Sequence, residues 1–138
     1  MNSIDIEFRL RQLGANIYDI KLPETKALEN ILQPDEDIDG IIYGRYQHTG
    51  EDRVGRGALV VTTKRVLLVD KKPMVSKLNE ISFRVVSGVS YVQAGPAGTV
   101  VLSTRVGDIH VRTLNKKCVD HFVLAVDQIM SNNNGDQL

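Results

Sequence analysis

The sequence predicts a single, mainly β domain of the α+β class, with a meander of short antiparallel strands between N-terminal helices and one C-terminal helix. From residue 38 onward, short apolar runs alternate with glycine-rich and polar turns, which is typical of an antiparallel meander. Apolar residues of the last segment recur at spacings of three and four, which is typical of a helix packed by one face. The 138 residues, 42% of them hydrophobic, suit one globular core.

Two helical segments are predicted before the first strand. Residues 4–13 place Ile4, Phe8 and Leu13 near one face of a helix, and the following glycine ends the pattern. A second helix begins at Pro23 or at the residue after it, because proline fits the first position of a helix, and it ends before the next proline.

Seven strand segments follow the helices. They are predicted at residues 38–47, 57–62, 65–70, 77–84, 89–94, 99–105 and 108–113. In the fourth of these, Ile81 and Phe83 mark the inward face, so that strand is expected to be half exposed.

The second and third strands are unusual because residues 58–61 and 66–69 are apolar at every position. Neighbouring residues of a strand point to opposite faces, so both faces of this hairpin should be covered. One cover is the core. The other is the pair of N-terminal helices, a second copy of the chain, or no cover at all if a few exposed aliphatic side chains are tolerated.

The C-terminal helix is predicted at residues 115–131, with Asn115 as its cap and a run of asparagines ending it. The chain therefore divides into an N-terminal helical extension (1–34), the main domain (35–131) and a flexible tail (132–138).

Composition excludes several classes of protein. The 17 basic and 17 acidic residues cancel, so no strong overall field attracts nucleic acid or an anionic membrane. The single cysteine cannot form an internal disulfide, and the N-terminus has no secretory pattern, which indicates a cytoplasmic setting. No apolar run approaches the ~20 residues that cross a bilayer, so we expect no integral membrane segment. From the balanced charge we expect no nucleic-acid partner.

One hairpin sharpens the prediction. The stretch Gly-Ala-Leu-Val-Val-Thr-Thr-Lys-Arg-Val-Leu-Leu-Val-Asp at residues 57–70 resembles the hairpin of bacterial pleckstrin-homology (PH) and GRAM-type domains. The spacing of Ile81, Phe83, Val86 and Val89 resembles their next element, and the apolar helix end before residues 34–36 is similar to their usual lead-in. The resemblance covers roughly residues 28–130.

This resemblance implies a PH-like, seven-stranded antiparallel barrel capped by the C-terminal helix. The chain has no tryptophan, which eukaryotic members usually carry in that helix, so Phe122 is expected to fill the space and the bacterial or phage-type branch is favoured. The family implies a non-enzymatic interaction or assembly module that forms a homo-oligomer or binds a protein partner. The predicted interface consists of Phe8, Leu28, Ile31, Leu59, Val61, Leu67 and Val69.

The alternative function is peripheral binding of a phospholipid headgroup. Residues 45–72 carry seven basic side chains against three acidic ones. In a meander the first and third connections emerge at the same end. The candidate anion-binding and lipid-binding residues are therefore Arg45, Arg53, Arg56, Lys71 and Lys72, because arginine and lysine bind phosphate oxygens. The alternative interpretation is that these basic residues form a solvated rim of loops without a ligand, because Glu51 and Asp52 in the same loop would repel a phosphate group.

No catalytic constellation is predicted. Cys118 and His121 are three residues apart on the last helix, but no third partner is evident, and two ligands are too few for zinc. His48 and His110 are expected at the surface. We therefore expect no catalytic residue, no metal and no cofactor.

Overall fold

A computed structural model describes residues 2–135 of the chain. Three N-terminal helices precede seven strands, a short 3₁₀ turn interrupts the strands, and a long helix follows them. The helices are α1 (Ser3–Gln12), α2 (Ile17–Ile20), α3 (Pro23–Ile31) and α4 (Lys116–Gly135), and the 3₁₀ turn is Phe83–Val85. The strands are β1 (Ile38–His48), β2 (Gly55–Thr62), β3 (Val66–Lys71), β4 (Ser76–Ile81), β5 (Val86–Ala94), β6 (Ala97–Thr104) and β7 (Ile109–Thr113).

The seven strands form one antiparallel sheet in the order β4-β3-β2-β1-β7-β6-β5. Strand β1 joins the two halves, because it pairs with β2 along most of its length and with β7 over its last four residues, Arg45 to His48. The predicted fold class is confirmed: a seven-stranded antiparallel PH-like sheet with N-terminal helices and a C-terminal helix. Strands β4 and β5 end the order and are not hydrogen-bonded to each other in residues 2–135.

Helix α1 packs with a different face from the one predicted. Its buried side chains are Ile6 and Leu10, and Leu13 follows them on the same side. Ile4 and Phe8 point away and are 77% and 64% exposed. The prediction grouped Ile4 and Phe8 with Leu13, but helical geometry places positions 6, 10 and 13 on one face and the other two opposite.

The short helix α2 was not predicted, whereas α3 begins at Pro23 as expected. Asn16 caps α2: its side chain accepts the N–H of Asp19, and the Asp19 side chain accepts the N–H of Asn16. Four residues are too few for an apolar period to be visible in the sequence.

The β2–β3 hairpin is covered on both faces, as expected. Residues 58–61 and 66–69 are all buried. Helix α3 lies against β2 and β3, and α4 contacts β2. On the outer face, the Thr25 hydroxyl of α3 and the Tyr43 hydroxyl of β1 lie 2.7 Å apart in a buried hydrogen bond. Of the covers considered, the N-terminal helices occupy the outer face.

Strand β4 is shorter than predicted. It ends at Ile81, and the next residues form the 3₁₀ turn rather than continuing the strand. Ser82 caps this turn: its side chain accepts the N–H of Arg84 at 3.3 Å, and its carbonyl accepts the N–H of Val85 at 3.2 Å. Ile81 and Phe83 are partly buried against the core, so the inward face was predicted correctly.

Helix α4 packs its predicted face against the sheet, and Val119, Phe122 and Val126 are at most 1% exposed. Phe122 lies so close to β1 that a Cβ on Gly40 would come within 3.0 Å of its Cα. The helix runs to Gly135 instead of ending at the asparagine run. The Asn133 side chain donates to the Phe83 carbonyl at 2.9 Å, which ties the last turns to the domain. Of the predicted flexible tail, residues 136–138 lie outside the described residues.

Candidate functional site

The predicted basic residues lie at one end of the sheet, around the β1–β2 and β3–β4 connections. The Lys72 ammonium donates to the Arg56 carbonyl at 2.9 Å, which joins the two connections. Lys72 also pairs with Asp70 at 2.9 Å, so part of its charge is neutralised within the chain. Arg53 is exposed in the first connection, and Lys71 is exposed at the end of β3.

Arg45 on β1 and Arg56 on β2 continue this basic surface from the rim onto the strands. They are direct cross-strand partners on β1 and β2. Arg45 is also the direct partner of Arg112 on β7. All three side chains are exposed, and none lies within 4.0 Å of a carboxylate of residues 2–135. We call these three residues the arginine row.

Sequence reasoning missed Arg112. It lies more than 60 positions after Arg45 in the sequence, and only the register of β7 against β1 brings the two together. The alternation of exposed and buried residues in β7 places Arg112 on the outer face, but that pattern does not tell which strand is its neighbour.

Apolar side chains are exposed beside the basic rim. Met74 and Val75 of the β3–β4 connection are 93% and 70% exposed, and Val54 of the β1–β2 connection is 57% exposed. The Lys72 N–H donates to the Val75 carbonyl at 3.0 Å, which shapes the tight turn that presents Met74. This end of the sheet therefore combines cationic and apolar groups.

Most of the predicted protein-interface residues are core residues in this structure. Leu28, Leu59, Val61, Leu67 and Val69 are at most 3% exposed. Ile31 is partly buried against the core, and only Phe8 is well exposed. In the folded chain the N-terminal helices cover Leu67 and Val69 on the outer face, whereas Leu59 and Val61 lie on the face that meets α4.

The threonine and arginine of the Thr-Thr-Lys-Arg hairpin hold a buried carboxylate. Glu36 is 2% exposed. Its oxygens accept from the Thr62 hydroxyl at 2.5 Å and from two guanidinium nitrogens of Arg65 at 2.9 Å each. Burial alone would raise the pKa of Glu36, but the hydrogen bonds from Arg65, Thr62 and the Gln33 N–H, with the Arg65 charge, lower it to about 2. These hairpin residues therefore have a structural role.

The cysteine and the histidines bring no reactive group together. Cys118 is fully buried, and burial raises the pKa of its thiol to about 12, so it is not a thiolate nucleophile. His121 is exposed. His48 and His110 are half-buried rather than fully at the surface, and a ring nitrogen of His110 hydrogen-bonds the Thr49 hydroxyl at 3.0 Å. Residues 2–135 contain no group of three metal-ligating side chains.

The surface of the described chain includes two clefts lined partly by polar side chains. One, of about 530 Å³, lies between α1 and α4 and includes Gln12, His121 and Leu124. The other, of about 430 Å³, lies between β4 and the β6–β7 turn and includes His48 and Asn79. In the described part of the chain, no helix has the length and apolar character needed to span a bilayer.

The strand order and the capping helix define a PH-like domain, and comparisons agree. Over residues 32–128 the sequence matches the family described as Bacterial PH domain. The chain therefore belongs to the bacterial PH domain family, and PH domains are in general non-catalytic interaction modules. No curated protein sequence matches the chain.

Solved structures with the same fold are distant in sequence. The Vps36 N-terminal PH domain has 14% identity and a TM-score of 0.55, and the match covers 73% of this chain and 83% of that one. The PH domain of USP37 has 15% identity and a TM-score of 0.53, with 67% and 97% covered. The C-terminal domain of an unknown protein from Leishmania infantum has 9% identity and a TM-score of 0.52, with 76% and 93% covered.

Proposed function

We propose that this PH-like domain is a non-enzymatic assembly module that self-associates by pairing the β5 edges of two copies. The observation that carries the proposal is the free edge of β5. Within residues 2–135, strand β5 pairs with β6 on one side and with no strand on the other. Its last six residues, 89–94, contain no charged residue and no proline. Soluble proteins usually protect an edge strand with charge, proline, a bulge or a covering element.

The other edge of the sheet and the start of β5 carry such protection. Strand β4 is short and contains Lys77 and Glu80. A register irregularity between Val86 and Gly88 disturbs the start of β5, and the Asn133 side chain approaches the Val86 carbonyl at 3.5 Å. Helix α4 also packs against β5. Residues 89–94 nevertheless carry no charge, proline or register irregularity, and Val92 within them is 68% exposed.

A second copy suits this edge because the edge is neutral along its length. Two such strands can pair antiparallel about a two-fold axis without placing like charges opposite each other. The whole chain has no formal net charge at pH 7, so no long-range repulsion opposes the approach of two copies.

The experiment measures the molar mass of the full chain over a range of concentrations by sedimentation velocity and light scattering. We expect the wild type to associate. Val92→Lys should raise the dissociation constant of self-association at least tenfold, because the lysine charge would lie in the paired edge. The matched control is Val106→Lys. Val106 is 79% exposed in the β6–β7 turn, away from the edge, so this variant should associate like the wild type.

Two results would contradict the proposal. The first is a wild type that stays monomeric at every concentration. The second is a Val92→Lys variant that associates as strongly as the wild type while remaining folded by circular dichroism.

A second candidate function is peripheral contact with an anionic membrane. It is supported by the exposed apolar tips, Val54, Met74 and Val75, beside the cationic Arg53 and Lys71. Insertion of apolar tips together with attraction of cations to anionic lipid is a common mode of peripheral binding.

Flotation with vesicles containing phosphatidylserine tests this candidate. Met74→Ser with Arg53→Glu should abolish flotation, and Val106→Ser with Arg11→Glu is the matched control. Flotation that is unchanged in the first pair, or absent in the wild type, would eliminate membrane contact at this rim.

A further inference from the structure

We propose that the arginine row, formed by Arg56, Arg45 and Arg112, is a binding site for an acidic polypeptide segment of a partner. The row lies on the outer face of the sheet, separate from the β5 edge, and begins beside the cationic rim, where the Lys72 ammonium bonds the Arg56 carbonyl. The inference does not depend on self-association.

The geometry of the row is set by the sheet. Arg45 faces Arg56 on one side and Arg112 on the other, as direct partners in register on adjacent strands. Neighbouring strands lie about 4.8 Å apart, so the three Cα positions span about 10 Å across the strands. An extended peptide places side chains of one face about 7 Å apart, so a short run of acidic residues can reach all three guanidinium groups.

The charge of the row is not compensated by the described chain. The buried carboxylate of Glu24 on α3, 5% exposed, accepts the N–H of Lys71 at 2.7 Å. No carboxylate of residues 2–135 comes within 4.0 Å of the row. Like charges directly opposite each other on a sheet are destabilising. The repulsion within the row therefore lowers the stability of the free protein, and a bound anion would relieve it.

Carboxylates suit these side chains because the guanidinium group is a planar fork that binds a carboxylate through two parallel hydrogen bonds. An array of exposed forks without carboxylate partners is therefore matched to a ligand that brings several carboxylates in a line.

The surroundings favour a peptide over a membrane. Tyr43 is two residues before Arg45 on the same face, and it is covered by α3 through its bond to Thr25. A helix is about 10–12 Å across, so α3 projects from the sheet next to the row. A flat bilayer on this face would contact the helix before it reached the arginines, whereas a peptide can lie on the sheet next to the helix.

The surroundings also disfavour single-stranded nucleic acid. Proteins that bind single strands usually combine cations with exposed aromatic side chains on which bases stack. The positions paired in register with the row are arginines and Thr99, and none of them is aromatic.

The experiment measures binding of a fluorescently labelled peptide of consecutive glutamates to the full chain by anisotropy at low salt. We expect Arg45→Thr and Arg112→Thr each to weaken binding about tenfold, the effect of losing one charge-assisted contact. Arg11→Thr is the matched control, since Arg11 is an exposed arginine on α1 without an ion pair among the described residues. It removes the same charge and should leave the affinity within twofold of wild type.

Thermal unfolding separates a binding role from a structural one. Arg45→Thr should raise the midpoint, because it removes both cross-strand repulsions and places a β-favouring residue on the strand. An arginine that holds the fold together would instead lower the midpoint when replaced.

Four results would overturn the proposal. They are no peptide binding by the wild type, equal weakening by Arg11→Thr, a lowered midpoint in Arg45→Thr, and binding of a poly-thymidine strand or anionic vesicles that depends on the row more strongly than peptide binding does.

Discussion

The substitution Glu36→Gln should destabilise the domain by about 3 kcal/mol at neutral pH. Glu36 is 2% exposed, and its two oxygens together accept hydrogen bonds from Thr62, Arg65 and the N–H of Gln33. A glutamine of the same shape keeps one oxygen and replaces the other with an amide group. That amide would direct its hydrogens at groups that are themselves donors, and the charge of Arg65, whose side chain is only 12% exposed, would lose its main partner.

The magnitude follows from the pKa. The pKa of Glu36 falls from an ordinary value of 4.5 to about 2 in the folded chain. A shift of about 2.5 units at about 1.4 kcal/mol per unit corresponds to about 3 kcal/mol of stability. Removing one partner of a buried ion pair typically costs 3–5 kcal/mol, so the two arguments agree.

The sign of the pH dependence follows from the direction of the shift. A carboxylate whose pKa is lowered by folding stabilises the fold fully above its ordinary pKa, and this stabilisation is lost as the pH falls toward the folded value. For Glu36 the loss is expected between about pH 5 and pH 2.

Urea unfolding of the wild type and Glu36→Gln at pH 7 and at pH 3 tests both expectations. The difference in unfolding free energy should be about 3 kcal/mol at pH 7 and clearly smaller at pH 3. The control is Glu80→Gln. Glu80 also bonds Arg65, at 3.1 Å, but its side chain is 62% exposed, so the loss should stay below about 1 kcal/mol. Equal losses for the two variants, or a Glu36→Gln effect that does not change with pH, would refute the reasoning.

Three further predictions concern packing and capping. A Cβ on Gly44 would overlap a β7 carbonyl oxygen, so Gly44→Ala should cost more than about 3 kcal/mol by urea unfolding, whereas Gly88→Ala, which meets open space, should change stability by less than about 0.5 kcal/mol. Asn115 caps α4 and bonds the α1–α2 connection, so Asn115→Ala should lower the unfolding free energy by about 1–2 kcal/mol, and the exposed Asn30→Ala should not. The Cys118 thiol should react with iodoacetamide at pH 8 only as fast as the chain unfolds; rapid labelling of the folded protein would contradict its burial.

The order of elements could be predicted from the sequence because it depends on local patterns. Turn residues separate the strands, and the fully apolar runs at 58–61 and 66–69 correctly indicated a hairpin covered on both faces. The spacing of Val119, Phe122 and Val126 correctly indicated which face of the last helix meets the core. Each of these signals lies within a window of about ten residues, where periodicity is informative.

The arrangement of the candidate sites could not be predicted in the same way. The arginine row depends on the register of three strands. The sequence does not indicate the register between β1 and β7, because five other strands separate them in the chain. The inward face of α1 was misassigned because apolar residues occur on both of its sides, and only the packing of Ile6 and Leu10 against the rest of the core distinguishes them. Both failures concern long-range contacts.

The outer face of the sheet explains why the basic residues divide into two groups. Along β1 this face runs from Ile41 and Tyr43, which the N-terminal helices bury, to Arg45, which they do not reach. Where the cover ends, the strand must carry a polar side chain, and threonine or glutamine would meet that need without repulsion. Solvation therefore accounts for a polar residue at position 45 but not for an arginine facing arginines on both sides. That excess of charge, held at a cost to the fold, is the reason to assign the row a ligand of its own.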